Sequence, residues 1–280
     1  MATLSVAGLH VYPVKSCAGI ARERVRVLPR GLQHDRAFMI VRADSGAFVT
    51  QREHPELAAV RTTLAEGTLV LTTRTAEVEL PADPARAAVG GERRRVRVWD
   101  DDVEASIVAS ASALVSEVLG FEALLVVMPP DVLRPVDPTF ARAGDHVSFA
   151  DGFPVLLATT ASLDDLGAHL ERAGEPPVPM SRFRPNVVVT GGAAWDEERH
   201  GRVRIGSVVF RMPKRCARCQ VVTVDQTTGT STGKEPLRTL ATFRRDGAAV
   251  HFGLNLVPEE LSPDAHVAVG DEVEWLDPQP

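Results

Sequence analysis

The chain has 280 residues, a length that suits two domains or one large β-rich unit. Apolar residues make up 44% and charged residues 24%, a composition that can bury a sizeable core and that argues against disorder. The net charge of −6 at pH 7 gives no reason to expect binding to nucleic acid or to an anionic membrane, so any anion must be held by a local cluster of cations.

The N-terminal segment MATLSVAGLHVYPVKSC has neither a basic start nor a long apolar stretch. It therefore predicts no signal peptide, and no segment of the sequence predicts a transmembrane span. The chain has three cysteines, too few for a disulfide framework. These features favour a reduced, cytoplasmic protein whose cysteines act as reactive or ligating groups and do not form stabilising disulfides.

Short runs with β-type alternation or β-branched residues dominate the first hundred residues. They are LSVAGLHVY, RVRVL, RAFMIV, GTLVLTTR, AEVEL and RRRVRVW, with turn residues between them. Such a series predicts a β-barrel or sandwich over about residues 1–105. The first predicted helix covers residues 110–120, because this segment starts with Ser and ends at Gly.

The middle of the chain combines a connector with one clear helix. Residues 129–145 are rich in proline and charge and predict a connector or a functional loop. In TTASLDDLGAHLERAG, three leucines fall at helical spacing and Gly174 ends the pattern. This pattern predicts an amphipathic helix.

The last third of the chain returns to strands. NVVVTG, RVRIGSVVFRM, CQVVTVD, VHFGLNLV and DEVEWL predict strands, and EPLRTLATFR predicts a short helix with proline at its start. The sequence thus predicts a mainly β fold with a few helices, of the α+β class. We expect two domains, residues 1–120 and residues 121–280.

Two of the three cysteines, Cys216 and Cys219, form a C-x-x-C motif in KRCARCQVVTVD. A structural zinc site needs four ligands, but the remaining cysteine, Cys17, is distant in sequence and no H-x₃₋₅-H pattern follows. A thioredoxin-like dithiol needs the motif at the start of a helix, whereas here it precedes a predicted strand. Ordinary half-buried thiols are a further alternative, and the spacing alone leaves all three open.

The residues around this motif are basic. Lys214, Arg215 and Arg218 lie within four residues of a thiol. Nearby cations favour the thiolate and lower the pKa of a cysteine below its usual value of about 8.5, and a thiolate is a good ligand for a soft metal. The same cations could hold an anionic cofactor. A metal bound together with an anionic cofactor is therefore the sharper hypothesis.

Two other apparent motifs fail. GTSTGKE lacks the glycine spacing of a phosphate-binding loop and has Glu235 where a magnesium-binding hydroxyl should stand. Ser16, His34 and Asp35 could be imagined as a triad, but the sequence has no G-x-S-x-G motif. His34 and Asp35 instead predict a turn that enters a strand.

Three further segments present polar residues where loops should expose them. In YPVKSC, Lys15 and Ser16 follow a predicted strand and a proline. In RFRPN, the proline after Arg184 predicts an extended backbone at that arginine, and Asn186 opens a strand. HDRAF adds Arg36. Each cation could simply lie on the surface, but we hypothesise that four of them converge into a positive pocket for a phosphorylated ligand: Lys15, Arg36, Arg184 and Arg218.

The ordered set of these motifs resembles one known family. YPVKSC, HDRAFMIV and TQREHPELA resemble the N-terminal β-barrel domain that accompanies MOSC domains, which are named for the molybdenum cofactor sulfurase C-terminus. FADGFPVLLATTASLDDL, RFRPNVVV, RCARCQVVTVD, GKEPLRTLATFR, HFGLNL and VGDEVEWL resemble the MOSC domain itself. The chain is most similar to the branch that contains the amidoxime-reducing component and bacterial reductases of N-hydroxylated compounds.

The resemblance implies a MOSC N-terminal β-barrel domain, a MOSC β-barrel domain and a pterin-dithiolene molybdenum cofactor whose metal takes one protein thiolate. The metal ligand and catalytic residue would be Cys219, with Cys216 as a packed neighbour. The implied cofactor-binding residues are Lys15, Ser16, Arg36, Gly152, Phe153, Arg184, Asn186, Ala217 and Arg218. The family often has hydroxyl residues at the positions of Gly152, Phe153 and Ala217. Because this chain has no hydroxyl side chain there, only backbone contacts with the cofactor are implied for these three residues.

The same resemblance implies a molybdenum-dependent reductase of small N-hydroxylated or N-oxide substrates, with Asp225 as a candidate supporting group. Because the chain has no C-terminal cysteine cluster, we expect no iron–sulfur cluster in it and a separate electron donor of the ferredoxin, flavoprotein or cytochrome type. Neither nucleic acid nor a membrane is expected as a partner. Two alternatives remain: a non-catalytic carrier of the cofactor or of sulfur as a Cys219 persulfide, and a relic that keeps the fold without the metal.

Overall fold

The computed structural model describes residues 3–231 and 233–278. Strands dominate it and α-helices are few, which confirms the predicted mainly β fold. The elements of the first part are β1 Ser5–Val11, β2 Ile20–Arg22, β3 Arg24–Leu28, β4 Gly31–Leu32, β5 Phe38–Arg42, β6 Arg61–Ala65, β7 Thr68–Thr72, β8 Glu77–Pro81, α1 Pro84–Ala87, β9 Arg93–Val98, β10 Asp101–Ile107, α2 Ala109–Leu119 and β11 Ala123–Val127. The predicted helix at 110–120 is therefore confirmed as α2.

The second part begins after β11. Its elements are β12 Arg134–Pro135, β13 His146–Val147, β14 Val155–Thr159, α3 Thr160–Arg172, β15 Val187–Thr190, β16 His200–Ile205, β17 Val208–Ala217, α4 Leu237–Phe243, β18 Arg245–Asp246, β19 Ala249–Pro258, β20 His266–Ala268 and β21 Val273–Pro278. Short 3₁₀ helices cover Pro55–Ala59, Met180–Phe183, Asp196–Arg199 and Gln220–Thr223. No helix in the described ranges has the length and apolar character needed to cross a membrane.

A nine-stranded sheet joins the start of the chain to its second part. Its strand order is β2-β1-β15-β14-β19-β17-β16-β21, with β18 paired to β19. β1 runs antiparallel to β15, so that Gly8 lies opposite Val188, whereas β14 and β15 are parallel. A separate four-stranded sheet has the order β5-β11-β10-β9. The loop after β1 returns to β2 of the same sheet, but it also pairs with β5 of the four-stranded sheet: Val14 bridges to Phe38, and the Lys15 N–H donates to the Phe38 carbonyl at 2.8 Å. Residues at the tip of this loop therefore lie where the two sheets meet. The expected domain boundary at residue 120 stays a prediction.

Burial explains why these segments form strands and helices. All four residues from Phe38 to Val41 are fully buried, so β5 reads as a continuous apolar run and not as an alternating one. In α3, the Thr159 hydroxyl accepts a hydrogen bond from the backbone N–H of Ser162 at 3.2 Å, which caps the first turn. Leu166 and Leu170 are buried, which confirms the predicted amphipathic helix.

The prediction of a strand in CQVVTVD is wrong. β17 ends at Ala217, and Gln220–Thr223 form a 3₁₀ helix in which the Val222 N–H donates to the Cys219 carbonyl at 3.2 Å. Val222 is fully buried, so its side chain faces the core from a helical turn. The β-branched residues in this segment are therefore a sign of buried side chains and not of an extended backbone. The C-x-x-C motif lies between a strand and a short helix.

The prediction of an extended backbone at Arg184 is wrong as well. This residue has φ 54° and ψ 46°, in the left-handed region, and its N–H donates to the Ser181 carbonyl at the end of a 3₁₀ helix. The following proline disfavours a right-handed helical conformation at Arg184 but does not choose among the others. Contacts of the buried guanidinium group with the Cys17 carbonyl and Gln226 fix the conformation.

The buried core predicts a clear difference between two leucines. Leu157 in β14 is fully buried, whereas Leu133 is 66% exposed. We expect Leu157→Ala to lower the free energy of unfolding by about 2–5 kcal/mol, because the substitution removes buried methyl groups and leaves a cavity. Leu133→Ala, the matched control, should change it by less than about 0.5 kcal/mol. Urea unfolding measures both, and equal losses would contradict the assigned core.

Candidate functional site

One cleft collects all ten residues that the family resemblance assigned to the metal or to the cofactor. Its walls include Lys15, Ser16, Arg36, Gly152, Phe153, Arg184, Asn186, Ala217, Arg218 and Cys219. The first three come from the loops that follow β1 and precede β5, and the others come from the second part of the chain. The predicted convergence of four cations is thus confirmed, while the roles of these residues toward a cofactor stay predictions.

A buried carboxylate, Asp35, holds several of these residues in place. Its Oδ1 accepts hydrogen bonds from the backbone N–H of Tyr12 at 2.8 Å and from Asn186 Nδ2 at 2.9 Å. Arg36 Nη1 donates to both carboxylate oxygens, at 2.8 and 2.6 Å. Burial raises the pKa of Asp35, and the Arg36 charge and the hydrogen bonds oppose that effect. The predicted turn at His34 and Asp35 is confirmed, and β5 follows it.

Tyr12, the chain's single tyrosine, lies between two arginines. The guanidinium carbon of Arg36 is 4.2 Å from the centre of its ring, and that of Arg184 is 4.3 Å away. Its hydroxyl donates to the Pro185 carbonyl at 3.1 Å. The negative face of an aromatic ring attracts cations, so Tyr12 stabilises two like charges close together.

Arg184 is buried, although it carries a charge. Its Nη2 donates to the Cys17 carbonyl at 2.8 Å, and its Nη1 donates to Gln226 Oε1 at 2.7 Å. Neither partner is a carboxylate. Burial lowers the pKa of Arg184 to about 10, so the group remains protonated at neutral pH. A buried cation with only neutral acceptors is well suited to an anionic ligand.

Lys15 and Ser16 occupy the tip of the loop after β1. Lys15 Nζ donates to the Phe149 carbonyl at 2.8 Å and to Asp151 Oδ1 at 2.5 Å. Burial lowers the pKa of Lys15, and Asp151 opposes that effect. Ser16 has a left-handed backbone, with φ 71°, and its carbonyl accepts a hydrogen bond from Gln51. The loop therefore presents both side chains to the cleft in a fixed conformation.

The three thiols differ in exposure and bonding. Cys17 is buried, and burial raises the pKa of its thiol to about 12. Cys216 is half-buried, and its Sγ accepts a hydrogen bond from Arg218 Nη1 at 3.0 Å. Cys219 is exposed, and within residues 3–231 and 233–278 its sulfur has no hydrogen-bond partner. Cys219 is thus the thiol that is open to a ligand.

The remaining nominated residues fall into two groups. Gly152 and Phe153 also line the cleft, and a Cβ on Gly152 would meet only the Asp137 side chain at 3.8 Å. Space alone therefore does not require glycine there. Asp225 is not part of the cleft lining. Its carboxylate accepts from the backbone N–H groups of Thr227 and Thr228, so it stabilises a turn beyond the site.

Sequence reasoning missed several residues of the site. Tyr12 and Asp35 organise the cations, and Gln51 and Arg52 line the cleft. Gln51 and Arg52 belong to TQREHPELA, but this segment has no residue pattern that marks a ligand site. Tyr12 gave no sequence signal, because its role depends on two arginines that are distant in the chain.

The donor set of the cleft fits an anionic cofactor with a soft metal. Cations and N–H donors surround one exposed thiol, and a thiolate is a ligand for soft metals. Arg218 Nε is buried, and the described residues supply no hydrogen-bond acceptor for it. Arg36 Nη1 also donates to Asn186 Oδ1 at 3.0 Å, so the two side chains form one connected network. Such an arrangement can bind phosphate oxygens without large rearrangement.

Comparison with known families agrees with this picture. Residues 3–122 match the family described as the MOSC N-terminal beta barrel domain, and residues 144–274 match the MOSC domain. Together the two matches span both parts of the cleft.

Similar proteins come from animals and plants. Mitochondrial amidoxime-reducing component 1 of Mus musculus is 32% identical, over 86% of this chain and 71% of that protein. Its Homo sapiens counterpart is 31% identical, over 86% of this chain and 72% of that protein. Molybdenum cofactor sulfurase of Oryza sativa subsp. japonica is 29% identical, over 95% of this chain but 34% of that protein.

The exposures of the three thiols predict their order of alkylation. In cofactor-free native protein, iodoacetamide should modify Cys219 first and Cys216 more slowly. Cys17 should stay unmodified at pH 8, because its thiol is buried and its pKa is raised to about 12. Peptide mass spectrometry after timed quenching measures the order, and urea-unfolded protein is the control in which all three react. Modification of native Cys17 as fast as Cys219 would contradict the structure.

Proposed function

The chain belongs to the family of proteins that pair a MOSC N-terminal β-barrel domain with a MOSC domain, and from this premise we propose that it is a molybdenum-cofactor-dependent reductase of N-hydroxylated compounds. The observation that carries the proposal is the cleft in which the exposed Cys219 lies beside four converging cations. The relatives named amidoxime-reducing component support the reaction type.

The residues of the cleft divide the binding of a pterin-dithiolene molybdenum cofactor between them. The Cys219 thiolate would bind the metal. The cations and the polar side chains would hold the phosphate and the pterin: Lys15, Ser16, Arg36, Arg184, Asn186 and Arg218. The backbones of Gly152, Phe153 and Ala217 would line the remaining wall. When bound, the cofactor supplies the two-electron redox chemistry, and the protein supplies binding and orientation.

The protein's own contribution is a set of charges arranged before the ligand arrives. Asp35 fixes Arg36 and Asn186, and Tyr12 keeps Arg36 close to Arg184. Arg184 stays protonated at neutral pH, since its pKa is lowered only to about 10. Preorganised donors cost little reorganisation on binding.

Electron supply and location complete the proposal. We infer that electrons come from a separate donor of the ferredoxin, flavoprotein or cytochrome type, and that the substrates are small amidoximes or N-oxides. The expectation of a cytoplasmic protein stays a prediction, because the relatives with the printed name amidoxime-reducing component are mitochondrial.

A second candidate function has two observations in its favour. Cys219 is exposed, and a similar protein is a molybdenum cofactor sulfurase. In this alternative the chain is a non-catalytic carrier, and Cys219 holds either the cofactor or a sulfane sulfur. Such a carrier would contain the cofactor or labile sulfur and would reduce no N-hydroxylated compound.

The two cysteines of the motif give the test of the proposal. We expect Cys219→Ala, made in a cofactor-competent host, to retain less than about one tenth of the wild-type molybdenum, because it removes the metal ligand. Cys216→Ala should retain most of the metal, since it removes one hydrogen bond to Arg218. Elemental analysis and reduction of benzamidoxime with an artificial electron donor are the measurements.

The outcomes separate the candidate functions. Loss of metal in Cys216→Ala but not in Cys219→Ala would reverse the assignment of the ligand. Wild-type protein that holds molybdenum yet reduces no amidoxime would favour the carrier. Wild-type protein with neither molybdenum nor labile sulfur, identical in both respects to the Cys219→Ala variant, would reject both and favour a relic.

Tyr12 gives a second prediction, on the arrangement of the arginines. Tyr12→Leu removes both cation–π contacts, each of about 0.5–2 kcal/mol, and should lower the retention of molybdenum during dialysis about tenfold. Tyr12→Phe keeps the ring and loses only the hydrogen bond to the Pro185 carbonyl, so it should stay within about threefold of wild type. Equal retention in the two variants, at equal free energy of unfolding, would contradict a role for the ring.

A further inference from the structure

A second cavity of about 850 Å³ opens beside the cleft. We call it the basic groove and define it by five cations in its walls: Arg52, Arg218, Lys234, Arg238 and Arg245. It shares Gln51, Arg52 and Arg218 with the cleft, so the two cavities adjoin at these three side chains. A ligand with one end beside Cys219 could extend past them into the basic groove.

The basic groove is positively charged, in a chain whose net charge is −6. Its described lining includes no aspartate and no glutamate. Arg238 is neutralised by Glu235 and Glu175, at 2.5 and 2.7 Å.

Four cations of the groove remain uncompensated. Among the described residues, no carboxylate lies within 4.0 Å of Arg52, Arg218, Lys234 or Arg245. Arg52 instead stacks on the ring of Trp99, with its guanidinium carbon 4.1 Å from the ring centre. The groove therefore carries uncompensated charge where a negative ligand group can bind.

Apolar side chains form the other part of the lining. Leu237 and Ala241 lie one turn apart in α4, and Val250 in β19 is buried beneath them. Pro55 and Val224 add to this apolar lining. A wall of this kind favours a hydrocarbon or aromatic body, while the cations favour a negative group.

We propose that the basic groove binds the carboxylate-bearing tail of an N-hydroxylated substrate whose N–OH end lies in the cleft beside Cys219. The inference rests on the proposed reductase function and adds the substrate class. The volume of the groove falls in the range of about 300–1,000 Å³ that is typical of small-molecule sites, which favours a small ligand over a protein partner. The carboxylate pairs with Lys234 and Arg245, and the body of the ligand contacts Leu237 and Ala241.

Binding of a matched ligand pair tests the inference without turnover. The ligands are 4-carbamoylbenzoate, which is anionic, and terephthalamide, which has nearly the same shape and no charge. Neither carries an N–OH group. We expect the wild-type holoenzyme to bind the anion about tenfold more tightly at low salt, and the difference to shrink as salt screens the charges. Isothermal titration calorimetry measures both affinities.

Substitution assigns this difference to the groove. The double variant Lys234→Gln/Arg245→Gln should lose most of the preference for the anion, although Arg52 and Arg218 remain in the groove. Both side chains are exposed, so the variant should fold. Arg74→Gln, at an exposed position between β7 and β8, is the control and should keep the difference of about tenfold. A double variant that still prefers the anion as strongly as wild type would overturn the inference.

Kinetics distinguish the substrate from a protein partner. With 4-carboxybenzamidoxime, the double variant should raise KM about tenfold and change kcat less than about twofold, whereas benzamidoxime should be unaffected. An equal loss of rate for both substrates, seen only with a protein donor, would mean that the groove receives an acidic protein, and would overturn the inference. If the wild type reduces neither compound, the proposed function fails, but a ligand preference that the double variant abolishes would still establish the anion site.

Discussion

The buried carboxylate of Asp35 is the constraint on which the site depends. It binds the backbone of Tyr12 after β1, the guanidinium of Arg36 before β5 and the amide of Asn186 before β15. These segments come from both parts of the chain, so one acid connects the two sheets at the cleft. Breaking a buried pair of this kind leaves an uncompensated charge and is strongly destabilising. The same contacts that position Arg36 and Asn186 therefore also stabilise the fold.

The cleft brings together cations that repel one another, and the protein offsets that repulsion only in part. Asp35 compensates Arg36, and Asp151 compensates Lys15. Arg184 has neutral acceptors and the face of Tyr12, and burial lowers its pKa to about 10. Burying a charge without a carboxylate costs free energy that an anionic ligand recovers when it binds. The incomplete compensation of Arg184 is thus the physical reason to expect a tightly held anion at this place.

The sequence predicted the elements whose pattern is local, and failed where distant contacts decide the conformation. α3 followed from leucine spacing, and the ten residues of the site followed from the family motifs. The strand expected in CQVVTVD is a 3₁₀ helix, because burial of Val222 requires β-branched residues without requiring an extended backbone. The left-handed Arg184 depends on acceptors at Cys17 and Gln226. The role of Tyr12 could not be predicted, because it depends on contacts with two arginines that are distant in the sequence.

The contact between the cleft and the basic groove relates the charge of the protein to its proposed selectivity. A chain of net charge −6 repels anions at long range, so an anionic ligand gains specificity from local fields in a cavity with low-dielectric walls. Arg52 and Arg218 line both cavities, and the other uncompensated cations lie farther along the groove. The cations of the groove attract the negative group of an anionic ligand, whereas a neutral ligand gains no such attraction there. On the proposed function, this distribution of cations discriminates between substrates by their tails, because the reacting group is the same in each.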